Sequence, residues 1–204
     1  MKVMPTSLSP SPKLVAATAL VIGITLLVAL HKGNFLTDAT AEATANPEEL
    51  FTRMATVFAH PRCMNCHTGE PFPRQGDDEH RHTPDVARGP NDTGAAGLHC
   101  SACHQVDNQA ASGVPGAPDW HLAPVRMAWQ GLSAGDLCRA LQDPARGAMS
   151  PEQLLAHFNT GPVEWAWAPG TDRTGKERTP PPVSRDEFIA LTKAWIDAGA
   201  VCPQ

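Results

Sequence analysis

The chain has 204 residues and a mass of 21.7 kDa, which indicates one domain or two very small ones. Its formal net charge is −5, so it lacks the basic surface that a nucleic-acid-binding protein needs, and no nucleic-acid partner is expected. Glycine has no regular period, no heptad pattern is sustained and there is one long apolar run, which excludes collagens, coiled coils and polytopic membrane proteins.

The first predicted element is an uncharged apolar run from Leu14 to Leu30, with lysines on both sides. Its length is near the lower limit for a membrane-spanning helix and exceeds the usual core of a signal peptide. We therefore expect residues 1–33 to be a signal anchor that places the following chain on the periplasmic side of the inner membrane. A signal peptide cleaved near Ala45, which would give a soluble periplasmic protein, is the alternative, and a buried core helix is a third interpretation.

Residues 34–46 are polar and small, which predicts a linker before a domain over residues 47–204. Four helices are indicated in this domain by N-cap residues, by capping-box patterns and by Pro at first helical positions. We find no convincing alternation with period two, so few or no strands are expected. A further short helix is predicted to open at residues 100–104, and the remaining segments are predicted to be loops. The predicted helices cover residues 46–58, 133–142, 150–159 and 184–199.

The pentapeptide Cys-x-x-Cys-His occurs twice, at 63–67 and at 100–104. It is the attachment signature of a c-type haem, because thiols at this spacing can form thioethers with both vinyl groups of one porphyrin. The histidine that follows can then bind the iron as the proximal ligand. The expected fold class is therefore a mostly α, loop-rich c-type cytochrome domain with two covalent haems. The predicted attachment residues are Cys63, Cys66, Cys100 and Cys103, and the predicted proximal ligands are His67 and His104.

Three other interpretations of the motifs are open. The four motif cysteines could bind zinc, although a zinc site does not require a histidine after each pair. A thioredoxin-like redox pair would need a βαβ pattern that the flanking sequence lacks, and ordinary disulfides are permitted in an exported protein. The two cysteines outside the motifs, Cys138 and Cys202, are expected to form a disulfide in the same oxidising compartment.

Each iron would have a second axial position, filled by His or Met or left open. We expect His82 and His121 to fill it, because each lies in a loop long enough to fold back from the preceding motif over the haem. His121 lies between a Trp and a Leu, which favours its burial and bonding. Histidine outnumbers usable methionine, so at least one haem is predicted to have two histidine ligands. The other candidates are His80, His99, His157, Met127 and Met149.

From the first motif to the C-terminus the chain resembles a family of small dihaem proteins labelled as an isoquinoline 1-oxidoreductase subunit. That label implies an electron acceptor for a molybdenum hydroxylase. The segment after DPARG is shorter here than in the family, which affects the region near Met149. The resemblance is carried by CMNCH at 63–67, HRH at 80–82, RGP at 88–90, CSACH at 100–104, PGAPDWHLAP at 115–124, DPARG at 143–147, WAWAPG at 165–170 and AWIDAGAVCP at 194–203.

Two classes of function follow from these expectations. The first is electron transfer between a dehydrogenase or oxidoreductase and the respiratory chain, by a protein that is not itself an enzyme. Without the first 45 residues the net charge is −6, which suits electrostatic steering toward a basic redox partner. The alternative is a small dihaem peroxidase or reductase with one open haem, in which His80, His157 or Glu164 would serve as acid or base.

Overall fold

The computed structural model describes residues 46–204. No helix within this range is long and apolar enough to cross a membrane. The signal anchor predicted for residues 1–33, and all but the last residue of the predicted linker, lie outside the described residues.

Seven α-helices, two 3-10 helices (Val125–Met127 and Pro144–Arg146) and four two-residue strands make up the regular structure of the described range. The strands form two separate antiparallel hairpins, β1 (Arg74–Gln75) with β2 (His80–Arg81) and β3 (Gly94–Ala95) with β4 (Leu98–His99). The prediction of a mostly α, loop-rich domain with few strands is confirmed. The helices are α1 (Pro47–Phe58), α2 (Pro61–Met64), α3 (Cys100–Cys103), α4 (Ala134–Gln142), α5 (Pro151–His157), α6 (Gly161–Trp165) and α7 (Arg185–Asp197).

The predicted starts of the four helices are confirmed, because each predicted N-cap side chain accepts a hydrogen bond from the first turn of its helix. In the capping box of α5, the Ser150 hydroxyl accepts from the Gln153 N–H at 3.2 Å, and the Gln153 amide oxygen accepts from the Ser150 N–H at 2.9 Å. These bonds satisfy N–H groups that have no partner inside the helix. Helix α6 was not predicted, because five residues are too few to show a helical period. The side chains that cap the four predicted helices are Asn46, Ser133, Ser150 and Ser184.

The core is aromatic and lies between α1 and α7. The rings of Phe51 and Trp195 are 5.2 Å apart, and those of Phe58 and Phe188 meet edge to face at 5.3 Å. Trp129, from the chain before α4, packs edge to face on Phe58 at 5.1 Å. These five side chains are almost fully buried, so this part of the interior is filled by the protein itself.

A disulfide joins Cys138 in α4 to Cys202 near the C-terminus, with 5.5 Å between the two Cα atoms. This pairing was predicted from the sequence and is confirmed. The C-terminal segment is also held on α4 by the Gln142 side chain, which donates to the Ala200 carbonyl at 2.6 Å. The bridge closes a loop that contains α5, α6 and α7.

Candidate functional site

Both Cys-x-x-Cys-His motifs fold into a single helical turn. The His67 N–H donates to the Cys63 carbonyl at 3.0 Å, and the His104 N–H donates to the Cys100 carbonyl at 2.8 Å. In each motif the same bond therefore links the histidine to the first cysteine. The two cysteines and the histidine of each motif lie on one turn, as attachment to a single porphyrin requires.

The ring of each motif histidine also contacts a backbone carbonyl. Nδ1 of His67 is 2.9 Å from the Met127 carbonyl oxygen, and Nδ1 of His104 is 2.8 Å from the Pro115 carbonyl oxygen. A carbonyl can only accept, so Nδ1 carries the proton and donates, which leaves Nε2 with a free lone pair. A histidine that binds a metal through Nε2 has this arrangement.

A tryptophan stacks on each of these rings. His67 and Trp129 have ring centroids 3.4 Å apart and planes 9° apart, whereas His104 and Trp120 are 4.6 Å and 5° apart. The Trp129 N–H also donates to the His67 carbonyl at 3.0 Å. Sequence reasoning missed both tryptophans and both carbonyls, because no local pattern joins residues so far apart in the chain.

Desolvation sets the protonation of these groups. It lowers the pKa of His67 to about 3 and also lowers the pKa of His104, so both rings are neutral near pH 7. It raises the pKa of Cys63 to about 12 and that of Cys66 to about 11, so these thiols are protonated. The pKa of Cys66 is raised further by Cys100, because the two motifs lie next to each other.

A cleft lies beside the first motif and is lined by His67. Two candidate distal ligands, His157 and Met149, line the same cleft. Met127 lines this cleft too, but its carbonyl oxygen is hydrogen-bonded to Nδ1 of His67. Most of the remaining wall is apolar and comes from Phe58, Trp129, Ala140, Leu141, Leu154 and Phe158.

A more open groove lies beside the second motif and is lined by His104, His99 and His121. The predicted ligand His121 is exposed there, and its Nδ1 contacts the Asp119 carbonyl. His82 also lies beside His104, with the two ring centroids 5.9 Å apart. The loop after the first motif thus brings His82 to the second motif.

No hydrogen bond or ring contact among the described residues directs His80 into either site. It is exposed, and its Nδ1 is bonded to the Asp78 carboxylate at 2.6 Å. Within residues 46–204, no three His, Cys, Asp or Glu side chains form one metal-binding cluster.

Two buried arginines, neither of which was expected to have a structural role, fix the chain around the motifs. Arg88 lies beyond the first hairpin and joins the segment after the first motif to the segments around the second. Its guanidinium donates to the Thr68, Glu70 and Ala123 carbonyls and to the Asp92 carboxylate.

Arg62 lies in α2, next to the first motif cysteine. Its guanidinium lies 5.1 Å from the ring of Trp165, at the end of α6. The arginine therefore holds the first motif against the chain between α6 and α7. Its four hydrogen bonds go to the carbonyls of Trp165, Ala168, Arg178 and Thr179.

Comparison of the chain with family models, with curated proteins and with solved structures finds no match in any of the three.

Proposed function

We propose that the chain is a dihaem c-type cytochrome that carries electrons in the periplasm. Its electrons would pass between a dehydrogenase or oxidoreductase, such as the molybdenum hydroxylase that the family resemblance implies, and the respiratory chain. The observation that carries this proposal is the duplicated construction of the motifs. Each is one helical turn whose histidine donates through Nδ1 to a backbone carbonyl and stacks on a tryptophan.

The cleft beside His67 suits a haem in the chemistry of its lining. Its wall is mostly apolar, as the porphyrin faces require, and it also contains Arg146. Nε of Arg146 is buried and has no hydrogen-bond partner among the described residues. A buried donor without a partner is costly, and a haem propionate would supply the missing acceptor.

A bound haem supplies one-electron chemistry, through iron that alternates between the ferric and ferrous states. The protein supplies the ligands and holds them still. The Met127 and Pro115 carbonyls fix the two motif rings, and Trp129 and Trp120 cover one face of each ring. Ligands held in this way need little rearrangement when the charge on the iron changes, which favours fast electron transfer.

The arrangement of the two motifs supports exchange between the two cofactors. Cys66 and Cys100, one from each motif, are near enough to influence each other electrostatically. Arg88 bonds to chain segments on both sides of this junction. The motifs are therefore parts of one centre in a single domain, which suits transfer from one haem to the other.

The experiment that tests the proposal is the intact mass of the exported protein after denaturation. Thioether-bound haem remains attached, whereas zinc is lost, so the wild-type chain should carry two haems. C63A/C66A and C100A/C103A should each lose one haem, and C138S/C202S, which removes the disulfide outside the motifs, should keep both. A wild-type mass without haem would overturn the proposal.

The same preparation tests the location. We propose that the chain stays on the periplasmic face of the inner membrane through the segment from Leu14 to Leu30. The haem-bearing protein should then be recovered with the membrane fraction and with its N-terminus intact. Recovery in the soluble periplasmic fraction, without that segment, would instead indicate a cleaved signal peptide.

A further inference from the structure

We propose that His82 is the distal axial ligand of the haem attached at Cys100 and Cys103, opposite His104. The inference rests on the proposed function and assigns a ligand that the sequence alone left open. It means that a residue from the loop after the first motif completes the iron site of the second. The observations that carry it are the position of His82, the hydrogen bonds of both rings and the distance between them.

The position of His82 is set by backbone bonds on both sides of the first hairpin. The Arg74 N–H donates to the Asn65 carbonyl at 3.2 Å, which ties β1 to the first motif. The His82 N–H donates to the Pro73 carbonyl at 3.1 Å, which holds the residue just after β2. This hairpin therefore extends from one motif and delivers His82 to the other.

The hydrogen bonds of the two rings match those of a ligand pair. Nδ1 of His82 is 2.9 Å from the Pro84 carbonyl oxygen, as Nδ1 of His104 is from that of Pro115 at 2.8 Å. Both Nδ1 atoms must donate, so in the neutral rings both Nε2 atoms are acceptors and the rings cannot hydrogen-bond to each other. Neither Nε2 atom has a hydrogen-bond partner within residues 46–204. A metal ion can be shared by two such nitrogens.

The distance between the rings agrees with one shared metal. With metal–nitrogen bonds of about 2.0–2.1 Å, two imidazoles on opposite sides of a metal have ring centroids about 6 Å apart. The His82 and His104 centroids are 5.9 Å apart, farther than the 4.6 Å of the stacked pair that His104 forms with Trp120. The 56° between the ring planes is compatible with this arrangement, because axial ligands can rotate about the bond to the metal.

The test compares H82A with H80A in the dihaem holoprotein. His80 is the matched control, because it lies two residues away in the same hairpin and bonds to Asp78 at the surface. H82A should keep both haems by mass, convert one of them to the high-spin form and bind one more equivalent of carbon monoxide than the wild type. Added imidazole should restore the low-spin spectrum, and H80A should behave as the wild type.

A second variant, H82M, keeps the assignment testable if H82A loses a haem during maturation. H82M should retain six-coordinate iron with a sulfur-to-iron charge-transfer band and a higher potential at one haem, because a thioether favours ferrous iron. An H82M spectrum identical to that of the wild type would overturn the assignment. So would a low-spin H82A, or the appearance of the high-spin haem in H99A or H121A instead. Wild-type protein without two haems would overturn the proposed function as well, so the two failures are distinguishable.

Discussion

The two motif sites have the same local construction in very different surroundings. The first is continuous with the protein core, because Trp129 packs on both His67 and Phe58. The second lies at the surface, where Cys103 is exposed and the flanking Leu98 and Val106 side chains are 46% and 64% exposed. The helical turn fixes the ligand chemistry, whereas the surroundings set the local dielectric and the access of solvent and partners. A duplicated motif can therefore give two inequivalent centres.

The largest effect that separates the two sites is expected from Trp129. W129A should lower the free energy of unfolding by about 3–5 kcal/mol, because it leaves a cavity between His67 and the α1–α7 core. W120A, at the half-buried Trp of the second site, should cost less than half as much. Chemical denaturation of both variants measures the difference. Equal losses would mean that the first site is no better integrated into the core than the second.

Removal of the disulfide should also distinguish the first motif site from the second. C138S/C202S should lower the free energy of unfolding by about 2–4 kcal/mol, because the unfolded chain is no longer cross-linked. Amide exchange should increase mainly near the first cleft, since α4 carries Ala140 and Leu141 in its wall. The segment of residues 98–106 serves as the internal control. A uniform increase over both sites would contradict the expected localisation.

Arg88 should reveal how the two sites are joined. In R88K the three carbonyls and the Asp92 carboxylate lose part of their donors, which we expect to cost about 1–3 kcal/mol. R81K is a suitable control, because Arg81 is exposed and its contacts, an ion pair with Asp85 and a position over the Phe72 ring, lie at the surface. Thermal unfolding measures both variants. No difference between them would show that the buried guanidinium does not fix the chain around the motifs.

The smallest effect concerns pH and the start of α2. The His60 Nδ1 accepts from the Arg62 N–H at 3.3 Å, which requires a neutral ring. Desolvation, assisted by Arg62, lowers the His60 pKa below its ordinary value of 6.5. As the pH falls below 6.5, the unfolded chain therefore binds a proton before the folded chain does, and stability decreases. H60N should keep the cap and flatten this dependence. The free energy of unfolding of the wild type and of H60N, measured by denaturation at several pH values between about 5 and 8, tests this expectation. An equal pH dependence in the two proteins would contradict it.

Sequence reasoning performed best where a few neighbouring residues determine the structure. Asn46, Ser133, Ser150 and Ser184 marked their helix starts correctly, and the pairing of the two non-motif cysteines followed from the compartment and from elimination. The two hairpins were missed, because strands of two residues have no period to detect. One local sign of the second hairpin was Gly94. Its φ is 92°, which favours glycine, and a Cβ at this position would lie 2.4 Å from the Leu98 carbonyl oxygen.

The surroundings of the motifs could not be predicted for a different reason. Trp129 and Met127 meet His67 across about a third of the chain, and the partners in such contacts are chosen by the tertiary fold. Chain proximity also made His82 a natural candidate for the first haem, whereas in space it lies beside His104. The spatial position of a loop residue depends on anchors such as Arg88, whose acceptors are backbone carbonyls without a sequence signature.

The use of backbone carbonyls to orient the motif histidines has a consequence for sequence divergence. The oxygen that accepts from His67 belongs to the peptide group of Met127, and the one that accepts from His104 belongs to that of Pro115. Every amino acid supplies such an oxygen, so the side chain at either position can change while the hydrogen bond is kept. The backbone path at 116 is more demanding, because a Cβ there would lie 2.1 Å from the Asp107 carbonyl oxygen. The orientation of the His104 ring can thus persist through many substitutions while depending on one glycine.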